Sequence, residues 1–177
     1  MACSVTKGRL LSCNDQRGGI KYIDFAVFKE YGFSVTAQEI AALPVLLTEV
    51  FRYEVKATVN NLSEAGTVNQ DNRTTEVIAT LSVTLPKLDA STEVEIQALA
   101  AGRTIAFVHD YNGNVKVMGI NSGADASGFT SATGGAGGDL SGYTITLTAM
   151  DSKLCPLLSS GAKTALEALV SDEVIEP

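Results

Sequence analysis

The chain has 177 residues, 45% of them hydrophobic and only 19% charged, so it can close a sizeable apolar core and does not have the composition of a disordered segment. Thirteen basic against twenty acidic side chains leave a formal charge of −7, which opposes gripping a phosphate backbone; a single histidine and no tryptophan make a sparse inventory for an enzyme. The charge is uneven. Residues 1–60 carry seven basic and six acidic groups, whereas residues 61–177 carry six and fourteen.

The first residues, Met1 to Lys7, lack the apolar stretch of a secretory signal, and no run approaches the length of a membrane-spanning helix, so a cytoplasmic site of synthesis is expected. Residues 20–28 read as a short strand. Thr36-Ala37-Gln38-Glu39 has the spacing of a helix capping box, predicting a short helix that Pro44 ends. From 50 to 59 the apolar residues Phe51, Tyr53, Val55, Ala57 and Val59 alternate with Arg52, Glu54, Lys56 and Thr58, the period of a half-buried antiparallel strand. Residues 60–73 form a polar stretch longer than a tight hairpin needs, and read either as a floppy loop or as an extended loop that orders only against a neighbouring subunit. Asn61, Glu64, Gly66, Asn69 and Asp71 are its candidate assembly residues.

Alternation returns at 76–85, where Val77, Ala79, Leu81, Val83 and Leu85 interleave with Thr80, Ser82 and Thr84. A strand of ten residues spans about 33 Å at ~3.3 Å per residue, longer than most. The polar set Arg52, Glu54, Lys56, Thr58, Thr80, Ser82 and Thr84 reads as one polar face, either a plain solvent-facing surface or a candidate channel or subunit contact. Residues 91–101 predict a helix with Val94, Ile96 and Leu99 as apolar contacts and Gly102 after its end. Strands at 104–109 and 115–118 flank Asp110-Tyr111-Asn112-Gly113-Asn114, in which Asn-Gly is a strong hairpin signal. His109, at the strand end before that turn, is expected in a surface or hairpin role. Residues 119–142 hold eight glycines and read as one mobile loop, with Gly128, Gly134 and Gly138 as further assembly candidates. A last alternating strand covers Tyr143 to Ala149. Residues 162–170 suggest a helix before the acidic tail 171–177.

Catalytic and binding templates find little purchase. A Ser-His-Asp or Cys-His site would have to use His109, with no nucleophile signature around it. The glycine run lacks G-x-G-x-x-G, and Asp110-x-Asn112-x-Asn114 has its glycine at the wrong place for a calcium loop. Cys3, Cys13 and Cys155 are widely spaced, which speaks against a zinc site or disulfide framework. A non-enzyme without cofactor or metal is expected. The fold expected is mainly β, an antiparallel sandwich or barrel with a packed helix, in which residues 1–160 make a single domain and residues 161–177 a C-terminal helix and acidic tail.

The opening Met1-Ala2-Cys3-Ser4-Val5-Thr6-Lys7-Gly8-Arg9, the Gly18-Gly19-Ile20-Lys21 start, the long paired strands and Asp139-Leu140-Ser141-Gly142-Tyr143-Thr144-Ile145-Thr146-Leu147 resemble the tail-tube and neck-ring structural proteins of tailed bacteriophages, notably crAss-like phages of Bacteroidota. The resemblance covers most of residues 1–158. It implies a tail-tube-like subunit that closes into a hexameric or dodecameric ring and contacts portal, neck or tail proteins. The ring would let genomic DNA pass without specific binding and without a membrane partner, in a virion assembled in the host cytoplasm. Acidic, hydroxyl-rich walls would then contain DNA without holding it. A capsid decoration or tail-fibre-associated β-domain is the alternative.

Overall fold

A computed structural model describes residues 7–11, 13–56, 59–172 and Ile175. The expectations placed on Thr58, on the alternation at Ala57, on the first six residues and on most of the acidic tail lie outside the described residues. The elements run β1 (Ile20–Val27), β2 (Val35–Thr36), β3 (Glu39–Ile40), β4 (Phe51–Glu54), β5 (Asn61–Asn69), β6 (Thr74–Pro86) and α1 (Ala90–Ala101). They continue with β7 (Thr104–Asp110), β8 (Val115–Met118), β9 (Asp125–Ala132), β10 (Gly142–Asp151), β11 (Leu157–Leu158) and α2 (Ser160–Glu167). With 44% strand and 12% helix the fold is mainly β and sandwich-like, as the alternation predicts.

Two sheets carry the architecture. The first has the order β2-β3-β11-β8-β7-β1-β4, the second β5-β6-β10-β9. Pairing is antiparallel except between β3 and β11. Between the sheets, Ile23, Phe25, Ala106 and Val108 meet Leu81, Val83, Ile145 and Leu147, all buried, with Ile96 of α1 closing the same core. The first sheet is covered on its other face too. There Phe107, Ile105, Val117 and Leu158 pack with Ala162 and Leu166 of α2. This double burial explains β7: its residues Thr104 to His109 are all buried, so the strand reads as a near-continuous apolar run. The C-terminal helix, set apart in sequence at residue 161, thus shares the core of residues 1–160.

Helix α1 begins where expected because Asp89 caps it, accepting from the backbone N–H groups of Ser91 and Thr92 at 3.0 and 3.1 Å. Its buried contact is Ile96, with Leu99 packed at the core margin. Val94 is 63% exposed and makes no such contact, contrary to expectation, because it falls off the stripe that faces the sheet. The capping-box pattern at Thr36 starts no helix. Ala37 and Gln38 both take positive φ (53° and 64°), the geometry of a two-residue hairpin turn, joining β2 to β3. Pairing of β3 with β11 buries Ile40 completely, and that tertiary contact overrides the local helix signal.

Three further expectations are corrected by strand pairing. Regular strand structure stops at Glu54 instead of running to 59, and β4 pairs with β1, not with β6. The polar stretch 60–73 is no loop: Asn61–Asn69 is β5, in nine-residue register with β6 from Asn61↔Ser82 to Asn69↔Thr74. The glycine-rich segment is not one loop either. Its middle is β9, paired with β10 through Thr130↔Thr144 and Phe129↔Ile145. Gly142 at the end of the run is required sterically, since a Cβ there would lie 2.2 Å from the Leu85 carbonyl oxygen.

Candidate assembly surfaces and a buried ion network

Strand alternation in β6 and β10 sends Leu81, Val83, Ile145 and Leu147 inward, and so places the intervening hydroxyls on the outer face of the second sheet. Directly opposed pairs run across it: Thr84↔Thr144, Ser82↔Thr146 and Thr80↔Thr148. β5 extends the row with Asn61 beside Ser82 and Ser63 beside Thr80, and β9 adds Thr130 and Gly128 beside Thr144 and Thr146. The centre of this face is uncharged and hydroxyl-rich. Thr80, Ser82 and Thr84 are half-buried within it.

Arg52, Glu54 and Lys56 do not join them. β4 lies at an edge of the first sheet, and Arg52 projects from that sheet's outer face, on the opposite side of the sandwich. The single polar face expected from sequence is therefore split between two sheets. Glu54 and Lys56 are exposed, whereas Arg52 is held in an intramolecular network. Its Nε and Nη2 donate to Asp24 at 2.7 and 2.9 Å, its Nη1 donates to Glu167 of α2 at 2.8 Å, and its guanidinium stacks 4.0 Å from the Tyr22 ring centroid. The Tyr22 hydroxyl donates to Glu167 at 3.0 Å.

Asp24 is fully buried and also lies 2.9 Å from Nε2 of His109. His109 thus sits in the β7–β8 hairpin, as one reading had it, but as a buried member of this cluster packed 4.1 Å from the Tyr22 ring and not at the surface. Burial alone would raise the Asp24 carboxyl, but the bonds from Arg52 and His109 outweigh it and hold the group below the ordinary carboxylate range. Glu167 is lowered chiefly by its bond from Arg52. The geometry does structural work: it ties β1, β4 and β7 to the C-terminal helix.

The loop candidates divide similarly. Glu64 points into the sandwich, where Lys116 of β8 pairs with it and the Cys155 backbone N–H donates to it. Its burial raises the carboxyl, and those two partners more than compensate. It joins the two sheets of one chain. Gly66 faces the same way, opposite Val77. Asn69 and Asp71 form the β5–β6 turn, with Asn69 Oδ1 accepting from the N–H groups of Asp71 and Asn72 at 3.0 Å each. This end of the hairpin projects past the core: Val68, on the inward face, is 65% exposed. Gly128 lies on edge strand β9. Gly134 and Gly138 sit in the following loop, which Asp139 organises by accepting from the N–H groups of Gly135 and Ala136 at 3.0 and 2.8 Å.

Sequence reasoning missed Asp24, His109, Glu167 and Asn60. Asp24 was detectable, since a carboxylate inside the apolar run Ile20–Val27 needs a buried partner. Asn60 is buried where β4 gives way to β5, donating to the Lys56 carbonyl and accepting from Thr84 N–H, each at 2.6 Å. Among the described residues there is no cluster of three potential metal ligands, and no helix is long and apolar enough to cross a membrane. Cys13 and Cys155 are free thiols. No family model, curated protein or solved structure matches this chain.

Proposed function

We propose that this chain is a non-enzymatic virion structural protein that self-assembles into rings, forming part of a phage tail or neck channel through which DNA passes. The observation that carries this reading is the pair of long free edges on the hydroxyl-faced sheet. β5 and β9 bound that sheet, with nine and eight residues and no proline or lysine; the devices they do carry are the inward-turned Glu64 on β5 and a bulge in the β9–β10 pairing. Edges of that length are normally protected in a monomer. Because the strands alternate in direction, β9 of one copy can pair antiparallel with β5 of the next. Such a head-to-tail contact closes into a ring when its rotation divides a full turn.

In that ring the face with its uncharged, hydroxyl-rich centre would present a wettable wall to DNA, and the overall charge of −7 would discourage adhesion. The partners are then copies of the chain and the adjoining portal, neck or tail proteins, with no cofactor. Negative-stain microscopy of the purified protein tests the reading. Rings or tubes with an open lumen are expected. Monomers or trimers that bind only capsid surfaces would overturn it in favour of a decoration protein.

A further inference from the structure

We infer that the N-terminal segment is an exchange arm, whose Leu10-Leu11 pair seats in a cavity on a second copy of the chain. This rests on the self-assembly reading for its partner and adds the contact that joins the copies. Leu10 and Leu11 are consecutive aliphatic side chains that stand fully exposed among the described residues. They precede an anchor. Arg17 N–H donates to the Asn112 side chain at 2.9 Å, the Asn112 amide donates back to the Arg17 carbonyl at 2.9 Å, and the guanidinium lies 4.2 Å from the Tyr111 ring centroid. The chain is therefore fixed to the β7–β8 turn at Arg17, the base of the arm. Five residues lie between Leu11 and that base, a reach of about 20 Å over the six steps of extended chain.

Beside the same turn the sandwich opens into a cavity of about 580 Å³. Ile20, Leu62, Val108 and Leu157 supply its apolar lining, and Asp110 and Lys116 its charged rim. That volume is of the size that takes a compact apolar ligand. Lys116 is neutralised by Glu64, which leaves Asp110 as the unbalanced charge at the rim. The arm is basic, with Lys7, Arg9 and Arg17 against Asp15, while residues 61–177 carry a net −8. Charge and apolarity thus both match. Leu10 and Leu11 are not among the residues that line the cavity of their own chain, and the occupant assigned is the arm of another copy. Neighbours in a ring can pass arms in one direction around it, each copy giving one and receiving one.

Full-length protein carrying Cys3→Ser and Cys13→Ser provides the test. Leu11→Cys is placed in one tagged copy and Asn61→Cys, at the cavity mouth, in a differently tagged copy. Oxidation of the mixture is expected to link the two tags. Absence of that link, or a link formed only inside a chain carrying both cysteines, overturns the exchange. A Leu10→Asp/Leu11→Asp variant, altered only at exposed positions, is expected to self-associate at least tenfold more weakly in sedimentation velocity; association equal to wild type also overturns it. Rings retained by that variant would sink the arm and leave the ring reading intact. Cross-linked copies that never close into rings would do the reverse.

Discussion

Replacing Asp24 by alanine isolates the ion network that fastens the C-terminal helix to the first sheet. The carboxylate is fully buried and takes two bonds from Arg52, at 2.7 and 2.9 Å, and one contact from His109 at 2.9 Å. Removing one member of a buried pair costs about 3–5 kcal/mol, because the remaining charge stays desolvated without a partner. The Arg52 side chain is 22% exposed and keeps Glu167, so water and that second carboxylate recover part of the loss. We therefore expect the lower end, about 3 kcal/mol. For a chain of this size that corresponds to a fall in Tm of roughly 6–12 °C, at ~2–4 °C per kcal/mol.

Urea titration followed by circular dichroism measures the loss, and pH dependence checks its origin. Asp24 has a folded-state pKa below its unfolded value, so its contribution is present at neutral pH and disappears as pH falls through the folded value. The gap between wild type and Asp24→Ala should accordingly shrink below about pH 4, near the ordinary carboxylate pKa. A loss under about 1 kcal/mol at pH 7 would place this pair in the range of exposed surface ion pairs and refute the assignment of a buried one. A gap that persists undiminished into acid would refute the electrostatic cause.

Gly142→Ala should destabilise by about 2–3 kcal/mol or more, since its Cβ would meet the backbone of β6 and cannot be accommodated by a side-chain shift. Gly128→Ala, whose Cβ enters open space on β9, should be neutral or stabilising by up to ~1 kcal/mol in the same denaturation assay. Acid titration of the wild type should reveal further losses as pH falls below about 4, because Glu64 and Glu167 are also held low in the folded state. Alkylation at pH 8, read by peptide mass mapping, should label exposed Cys13 rapidly and leave Cys155 unmodified until unfolding, because burial pushes its thiol up to about 12.

Much of the fold was legible because periodicity is a local property. The alternation of Val77 to Leu85 and of Tyr143 to Ala149 located the two central strands of the second sheet. Asn112-Gly113 marked the β7–β8 turn, and the 91–101 pattern located α1. The hydroxyl residues Thr80, Ser82 and Thr84 share one face of the second sheet, but the sequence placed Arg52, Glu54 and Lys56 on it with them. Periodicity carries no information on which strands are neighbours. Arg52 and Thr80 show the same polar alternation, yet β4 joins β1 and β6 joins β5, so the two residues end on opposite sides of the molecule. The polar composition of 61–69 and the glycines near 128 suggested loops for a related reason: edge strands bury little, so their sequences lack the apolar half of the pattern.

What the sequence determined by itself was the class of fold, the positions of the strongly half-buried strands, and the hydroxyl-rich, weakly charged character of one surface. Each follows from residue type and spacing along a few consecutive positions. The tertiary structure alone decided the partition into two sheets, the folding of α2 into the core, and the fate of the charged residues. Asp24, Arg52, His109 and Glu167 are separated by up to 143 residues in the chain and become one network only because β1, β4, β7 and α2 converge. A buried charge is tolerable only with its partner in place, and that partner is chosen by packing, not by spacing.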